Sequence, residues 1–132
     1  MDVNVSPHLS PYESCVRLSC AAAEVGFDWV EPMDALAKVE EEVGEIRSIL
    51  LGPVADDESL GEEVGDLLFA VLNVARKLHI DPAAALEGAN RKFTRRFQYI
   101  EKKLAEIGLA VEDVELNELE RIWQEAKRFG PG

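Results

Sequence analysis

Apolar positions along this chain recur every three or four residues, and no stretch alternates with period two over a strand's length. Ser10-Pro11 with Glu13 offers an N-cap, a first-turn proline and a capping-box acid, so a helix is expected from there to about Val25, stopping before Gly26. Pro32 opens a second helix. Its apolar stripe is Leu36, Val39, Val43, Ile46 and Leu50, and Gly52-Pro53 ends it. Ser59 with Glu62 suggests a capping box for a third helix, although Asp56 or Asp57 could start it earlier; it continues to about Leu78. Asp81-Pro82 opens a fourth helix carrying Phe93, Phe97, Ile100 and Leu104, closed by Gly108. A last amphipathic segment holds Leu116, Leu119, Ile122, Trp123 and Ala126, ending at Gly130-Pro131. The pattern predicts an all-α fold of four main helices plus a C-terminal one. It predicts a single domain over residues 1–132, with residues 1–10 a flexible N-terminal segment.

Composition narrows the function. At 132 residues, 47% apolar and 30% charged, the chain has what one folded domain needs. Its net charge of −12 argues against a nucleic-acid polymer or an anionic membrane as ligand, since both call for basic surfaces. No apolar run reaches the ~18 residues of a membrane helix, and the first residues do not read as an export signal. Cys15 and Cys20 lie about 140° apart on a helix and have no zinc-ligand companions, which fits a reducing cytoplasm.

The charge is concentrated. Residues 40–66 hold ten acids against Arg47 alone, a local net of −9, while residues 91–103 carry a local net of +5. On the second helix Lys38, Glu42 and Glu45 share a flank beside the apolar stripe, with Glu41 next to them. A solvated edge is the ordinary reading of such a flank. The third helix argues for more. Glu63 and Asp66 run into Leu67-Leu68-Phe69-Ala70-Val71-Leu72, and a helix that apolar is expected to be mostly buried. A carboxylate at its edge is costly unless paired, either with a base from Arg91 to Arg96 or with a divalent cation. Glu42, Glu45, Glu63 and Asp66 would offer oxygen ligands only, which suits Mg²⁺ or Mn²⁺. Neither His8 nor His79 follows a glutamate by three residues, so a ferritin-like di-iron site is disfavoured. Lys92 and Arg96 share a face that could hold a polyphosphate or stay solvated. Trp123 and Lys127 are spaced the same way, as a stacking surface beside a cation or as core and solvent positions.

Together these residues resemble the MazG family of nucleoside triphosphate pyrophosphohydrolases. The family's E-E-x-x-E element reads Glu41-Glu42-Val43-Gly44-Glu45 here, and its E-x-x-D element reads Glu63-Val64-Gly65-Asp66. Further likeness lies in Val25-Gly26-Phe27-Asp28-Trp29, in Asn90-Arg91-Lys92-Phe93 with Arg95-Arg96-Phe97, and in Trp123 with Lys127. The likeness covers roughly Arg17 to Arg128, most resembles the second domain of tandem MazG proteins, and is present in a single copy.

The resemblance implies Glu42, Glu45, Glu63 and Asp66 as Mg²⁺ ligands and Glu41 as the group that positions or activates water. It implies Lys38, Lys92, Arg96 and Lys127 as triphosphate contacts, with Trp123 near the nucleotide. It further implies an α-helical homodimer or homotetramer with the site near the subunit interface. The reaction would be cleavage of a nucleoside triphosphate to monophosphate and pyrophosphate, by attack at the α-phosphorus, with broad pool-cleaning specificity. Narrower alternatives are a deoxyuridine or deoxycytidine triphosphate enzyme or a phosphoribosyl-ATP pyrophosphohydrolase. An alternative from another class is a non-catalytic helical nucleotide sensor or scaffold. Relatives usually carry Gln and Lys or Arg where this chain has Leu18-Ser19-Cys20-Ala21-Ala22-Ala23, a departure that bears on base preference.

Overall fold

A computed structural model describes residues 8–130. Five α-helices follow one another: α1 (Pro11–Glu24), α2 (Pro32–Leu51), α3 (Asp57–Lys77), α4 (Pro82–Ala105) and α5 (Leu116–Phe129), with a short 3₁₀ turn at Val111–Asp113. No strand occurs among the described residues. The expected loose segment falls largely on residues 1–7, outside the described residues.

The ends follow local chemistry. Ser10 Oγ accepts from the Glu13 N–H at 3.1 Å and so caps α1. For α3 the cap is Asp56 rather than Ser59. Its carboxylate accepts from the Glu58 N–H at 3.2 Å and from the Ser59 hydroxyl at 2.7 Å, which places Ser59 inside the helix. At the other end of α3, His79 adopts a left-handed φ of 56° while the Ile80 N–H bonds back to the Ala75 carbonyl at 2.9 Å. Glycine is the usual occupant of that position.

The chain divides into two compact units, residues 1–82 and 83–132. In the first, α2 packs along α3, and α1 also touches α3. The short α2–α3 connection makes the pair antiparallel. In α2 the buried positions are Ala35 and Glu42, and in α3 they are Ala70 and Asn73. Alanine at 1% and 3% exposure on the two helices allows close approach.

Two expectations are corrected here. Of the expected α2 stripe, Leu36, Val43 and Leu50 are exposed and Val39 and Ile46 only half-buried; the fully buried positions of α2 are Ala35 and Glu42, on the flank that also carries Lys38. The apolar run of α3 is likewise largely uncovered, with Leu68 61% and Val71 47% exposed. Periodicity finds an apolar stripe but cannot say whether the same chain supplies its cover. The costly carboxylate is therefore Glu42, at 5% exposure, whereas Asp66 is exposed.

The second unit has its own core. Ile100 and Leu104 of α4 meet Ile122 of α5, and Tyr99, Val111, Val114, Leu119 and Trp123 pack around them. The Tyr99 hydroxyl donates to Glu125 at 2.6 Å across the same pair of helices. Gly130 ends α5 where a Cβ would lie 2.7 Å from the Ala126 carbonyl oxygen, closer than a side chain permits.

Candidate active site

The site is built on the α2–α3 hairpin. Glu42 on α2 and Glu63 and Asp66 on α3 bring carboxylate oxygens within 4.8 Å of one another. The spacing of buried positions explains why they meet. Ala35 and Glu42 are seven residues apart on α2, and Glu63–Ala70 and Asp66–Asn73 are seven apart on α3. Seven residues are two helical turns, so one antiparallel register seats the alanines and juxtaposes the acids.

Lys38, one turn before Glu42, bridges to Glu42 Oε1 at 3.1 Å and to Glu41 Oε1 at 3.2 Å. Its ammonium holds the Glu42 carboxyl below the usual glutamate range, and those same two hydrogen bonds raise the Lys38 pKa. Glu63 moves the other way. Proximity to Glu42 first, then burial and the charges of Asp66 and Glu45, push its carboxyl up. Glu42 Oε2 is buried and, with Glu63 ionised, accepts from no donor; next to the Lys38 bond, a protonated Glu63 carboxyl supplies the one other hydrogen bond that holds the Glu42 carboxyl down.

The arrangement fits a hard divalent cation. Three carboxylates converge without nitrogen or sulfur, and the inner oxygen of the most buried one is left without a partner. Of the four acids implied as metal ligands, the fold brings together Glu42, Glu63 and Asp66. Glu45 is exposed and outside that group, acting on Glu63 through its charge. Glu41 is exposed and tied to Lys38.

The remaining candidates belong to the second unit. Arg96 lies 5.5 Å from the Trp123 ring centroid, a cation–π contact, and its Nε is buried without a partner. Phe93 stacks on Phe97 at 6.0 Å and meets Trp123 at 5.4 Å. Trp123 is half-buried against the core, so part of its surface is committed to packing. Lys92 and Lys127 are exposed.

One pairing was not expected from the sequence. Asp28, just before α2, takes a two-pronged bond from Arg76 near the end of α3, with Nη2–Oδ1 at 2.6 Å and Nη1–Oδ2 at 3.0 Å. Lys77 adds 3.3 Å to Oδ2 and the Trp29 N–H 2.8 Å to Oδ1. Asp28 itself lies in the Val25-Gly26-Phe27-Asp28-Trp29 likeness to the family, and Asn73 is a polar residue that interrupts the apolar run of α3. Asn73 is buried, donates to the Phe69 carbonyl and accepts from Arg76 Nε at 3.2 Å. A cavity of about 200 Å³ beside this network is lined by Tyr12, Val16, Ser19, Leu72, Arg76 and Ile80 among others, and by none of the carboxylate cluster.

A model of the MazG nucleotide pyrophosphohydrolase domain matches residues 31–100. The chain belongs to the MazG family. The matched span holds Lys38, the acids of both motifs, Lys92 and Arg96, while Trp123 and Lys127 lie beyond it. The nucleoside triphosphate pyrophosphohydrolase/pyrophosphatase MazG of Thermotoga maritima is 36% identical over 93% of this chain and 46% of its own length. The nucleoside triphosphate pyrophosphohydrolase of Escherichia coli K12 is 43% identical over 85% of this chain and 43% of its own length. The chain thus spans less than half the length of these curated relatives. Among the described residues no helix is long and apolar enough to cross a membrane.

Proposed function

We propose that this MazG protein hydrolyses nucleoside triphosphates to nucleoside monophosphate and pyrophosphate in a Mg²⁺-dependent reaction, with broad specificity. The observation that carries the reading is the convergence of Glu42, Glu63 and Asp66, with the inner Glu42 oxygen unpartnered. These three would hold the metal, joined by Glu45 through its charge or through a side-chain rotation. Bound Mg²⁺ would supply charge neutralisation and acidify water.

The chain's own groups would do the rest. Water attacks the α-phosphorus, the bond from that phosphorus to the α–β bridging oxygen breaks, and pyrophosphate leaves. Glu41, with Glu42 beside it, orients the water and receives its proton at a carboxylate oxygen. Lys38, Lys92, Arg96 and Lys127 bind the phosphates and offset charge on the leaving group. Trp123 packs near the base. In this reading residues 1–132 act as one MazG-like domain.

The exposed lines Leu36–Val43–Leu50 and Val64–Leu68–Val71 support assembly as a homodimer or homotetramer, because apolar surface of that extent calls for cover. Free thiols at Cys15 and Cys20 suit the cytoplasm. Pyrophosphate release across the common nucleoside triphosphates, with and without Mg²⁺, tests the reading. Turnover that needs metal and disappears in Asp66→Ala supports it. No turnover with any of them favours a nucleotide sensor.

A further inference from the structure

The α2–α3 hairpin is joined at one end by its loop. At the other end a single carboxylate ties it shut. Asp28 uses both oxygens twice: Oδ1 accepts from Trp29 N and Arg76 Nη2, and Oδ2 from Arg76 Nη1 and Lys77 Nζ. The guanidinium is fixed from behind. Asn73 Oδ1 accepts from its Nε at 3.2 Å and its Nη2 at 3.0 Å, and Asn73 is itself fixed by its bond to the Phe69 carbonyl. Asp28 and Arg76 are 19% and 21% exposed in their side chains, so solvent competes only partly with this contact. A forked arginine–carboxylate pair fixes position and angle, where a single ion pair fixes only distance.

On α3 the ten residues from Asp66 to Arg76 rise about 15 Å. On the other arm Glu42 lies ten residues into α2 from Pro32, and Asp28 stands four residues further back, in the segment that leads into the helix. A slip of α2 along α3 would break the clamp and would also carry Glu42 past Asp66. Between clamp and acids the most deeply buried positions of the two helices are the small Ala35 and Ala70 and the polar Asn73, with no large side chain among them to interlock. A polar lock at the open end adds a directional constraint there.

We propose that Asp28 and Arg76 are positioning residues for the metal site: their forked bond sets the α2–α3 register that holds Glu42 opposite Glu63 and Asp66. The proposal rests on the metal-site reading above. It assigns a role in site geometry to a pair that touches neither metal nor substrate and lies outside both acidic motifs. Asn73 serves it by presenting the guanidinium, and Lys77 by neutralising the second oxygen.

The test is Mn²⁺ binding, followed by electron paramagnetic resonance of the free ion, on the full chain well below its melting transition. Asp28→Asn should bind Mn²⁺ about tenfold more weakly, the low end of what losing an outer support of a metal site costs. Asp28→Glu, which keeps the charge, should recover most of the loss. Leu18→Ala on α1 serves as a control for general destabilisation and should bind as the wild type does. Wild-type affinity in Asp28→Asn overturns the proposal, and so does an equal loss in Leu18→Ala. If Asp28→Asn does not fold, Arg76→Lys, which loses the fork but keeps the charge, is read by the same criteria. Glu63→Gln separates the two layers of the argument. Unaltered Mn²⁺ binding there refutes the metal site, and the clamp's role with it. A loss in Glu63→Gln with none in Asp28→Asn refutes the clamp alone.

Discussion

Removing the Glu63 carboxylate should have opposite effects with and without metal. In the metal-free protein Glu63 faces Glu42 and Asp66 within 4.8 Å, and its carboxyl is held above the usual glutamate range, first by Glu42. The ionised site is then penalised at neutral pH. That penalty is relieved as the pH falls through the raised value towards the ordinary glutamate value of about 4.3. Glu63→Gln lacks the penalty, so the metal-free variant should melt no lower than the wild type at pH 7.5. With metal the order reverses. At a Mn²⁺ concentration 100 times the wild-type dissociation constant, binding stabilises by about 2.7 kcal/mol. A tenfold weaker site gains only about 1.4 kcal/mol from the same concentration. The difference of about 1.3 kcal/mol corresponds to roughly 5 °C for a folded unit of this size. The assay is thermal melting followed by circular dichroism, with and without Mn²⁺. Equal metal-induced shifts in wild type and variant would refute the reasoning, as would a large destabilisation of the metal-free variant.

Three further outcomes are expected. His79 pays backbone strain at its φ of 56°, so His79→Gly should raise stability by about 0.5–1 kcal/mol, seen as a higher urea midpoint. Leu68, 61% exposed on α3, should lie within a subunit contact, so Leu68→Glu should shift the sedimentation coefficient towards the monomer while the far-ultraviolet spectrum stays helical. The Asp28 carboxyl is held far below the usual aspartate range, first by Arg76. Its contribution, about 2 kcal/mol for a bond between charged groups, should therefore be complete above pH ~4 and fade as the pH falls below it. Urea unfolding of wild type and Asp28→Asn between pH 7 and 3 should show the gap narrowing only at the acid end.

Much of the helical architecture was legible in the sequence because it is written in local terms. Ser10-Pro11 and Asp81-Pro82 mark helix starts through capping and the fixed φ of proline, and they sit where α1 and α4 begin. The convergence of Glu42 with Glu63 and Asp66 was foreseen from i, i+3 spacing on two helices, although Glu45 stands outside the group. The buried face of α2 was not foreseen. Hydrophobicity pointed to the stripe from Leu36 to Leu50, of which only Val39 and Ile46 are half-buried, whereas close packing selected the small Ala35 and carried Glu42 inward with it. The Asp28–Arg76 bond joins residues 48 apart, and no periodicity encodes a contact of that range. His79 in a left-handed turn escaped notice because the usual signal there is glycine.

The central claim is hydrolysis at the α-phosphorus by the carboxylate site of the α2–α3 hairpin. Turnover of a nucleoside triphosphate in ¹⁸O-labelled water, with the products resolved by mass spectrometry, tests it most directly. The account predicts label in the nucleoside monophosphate, unlabelled pyrophosphate, and no turnover in Glu42→Ala or Asp66→Ala. Label in pyrophosphate or orthophosphate, or full activity in either variant, would contradict it.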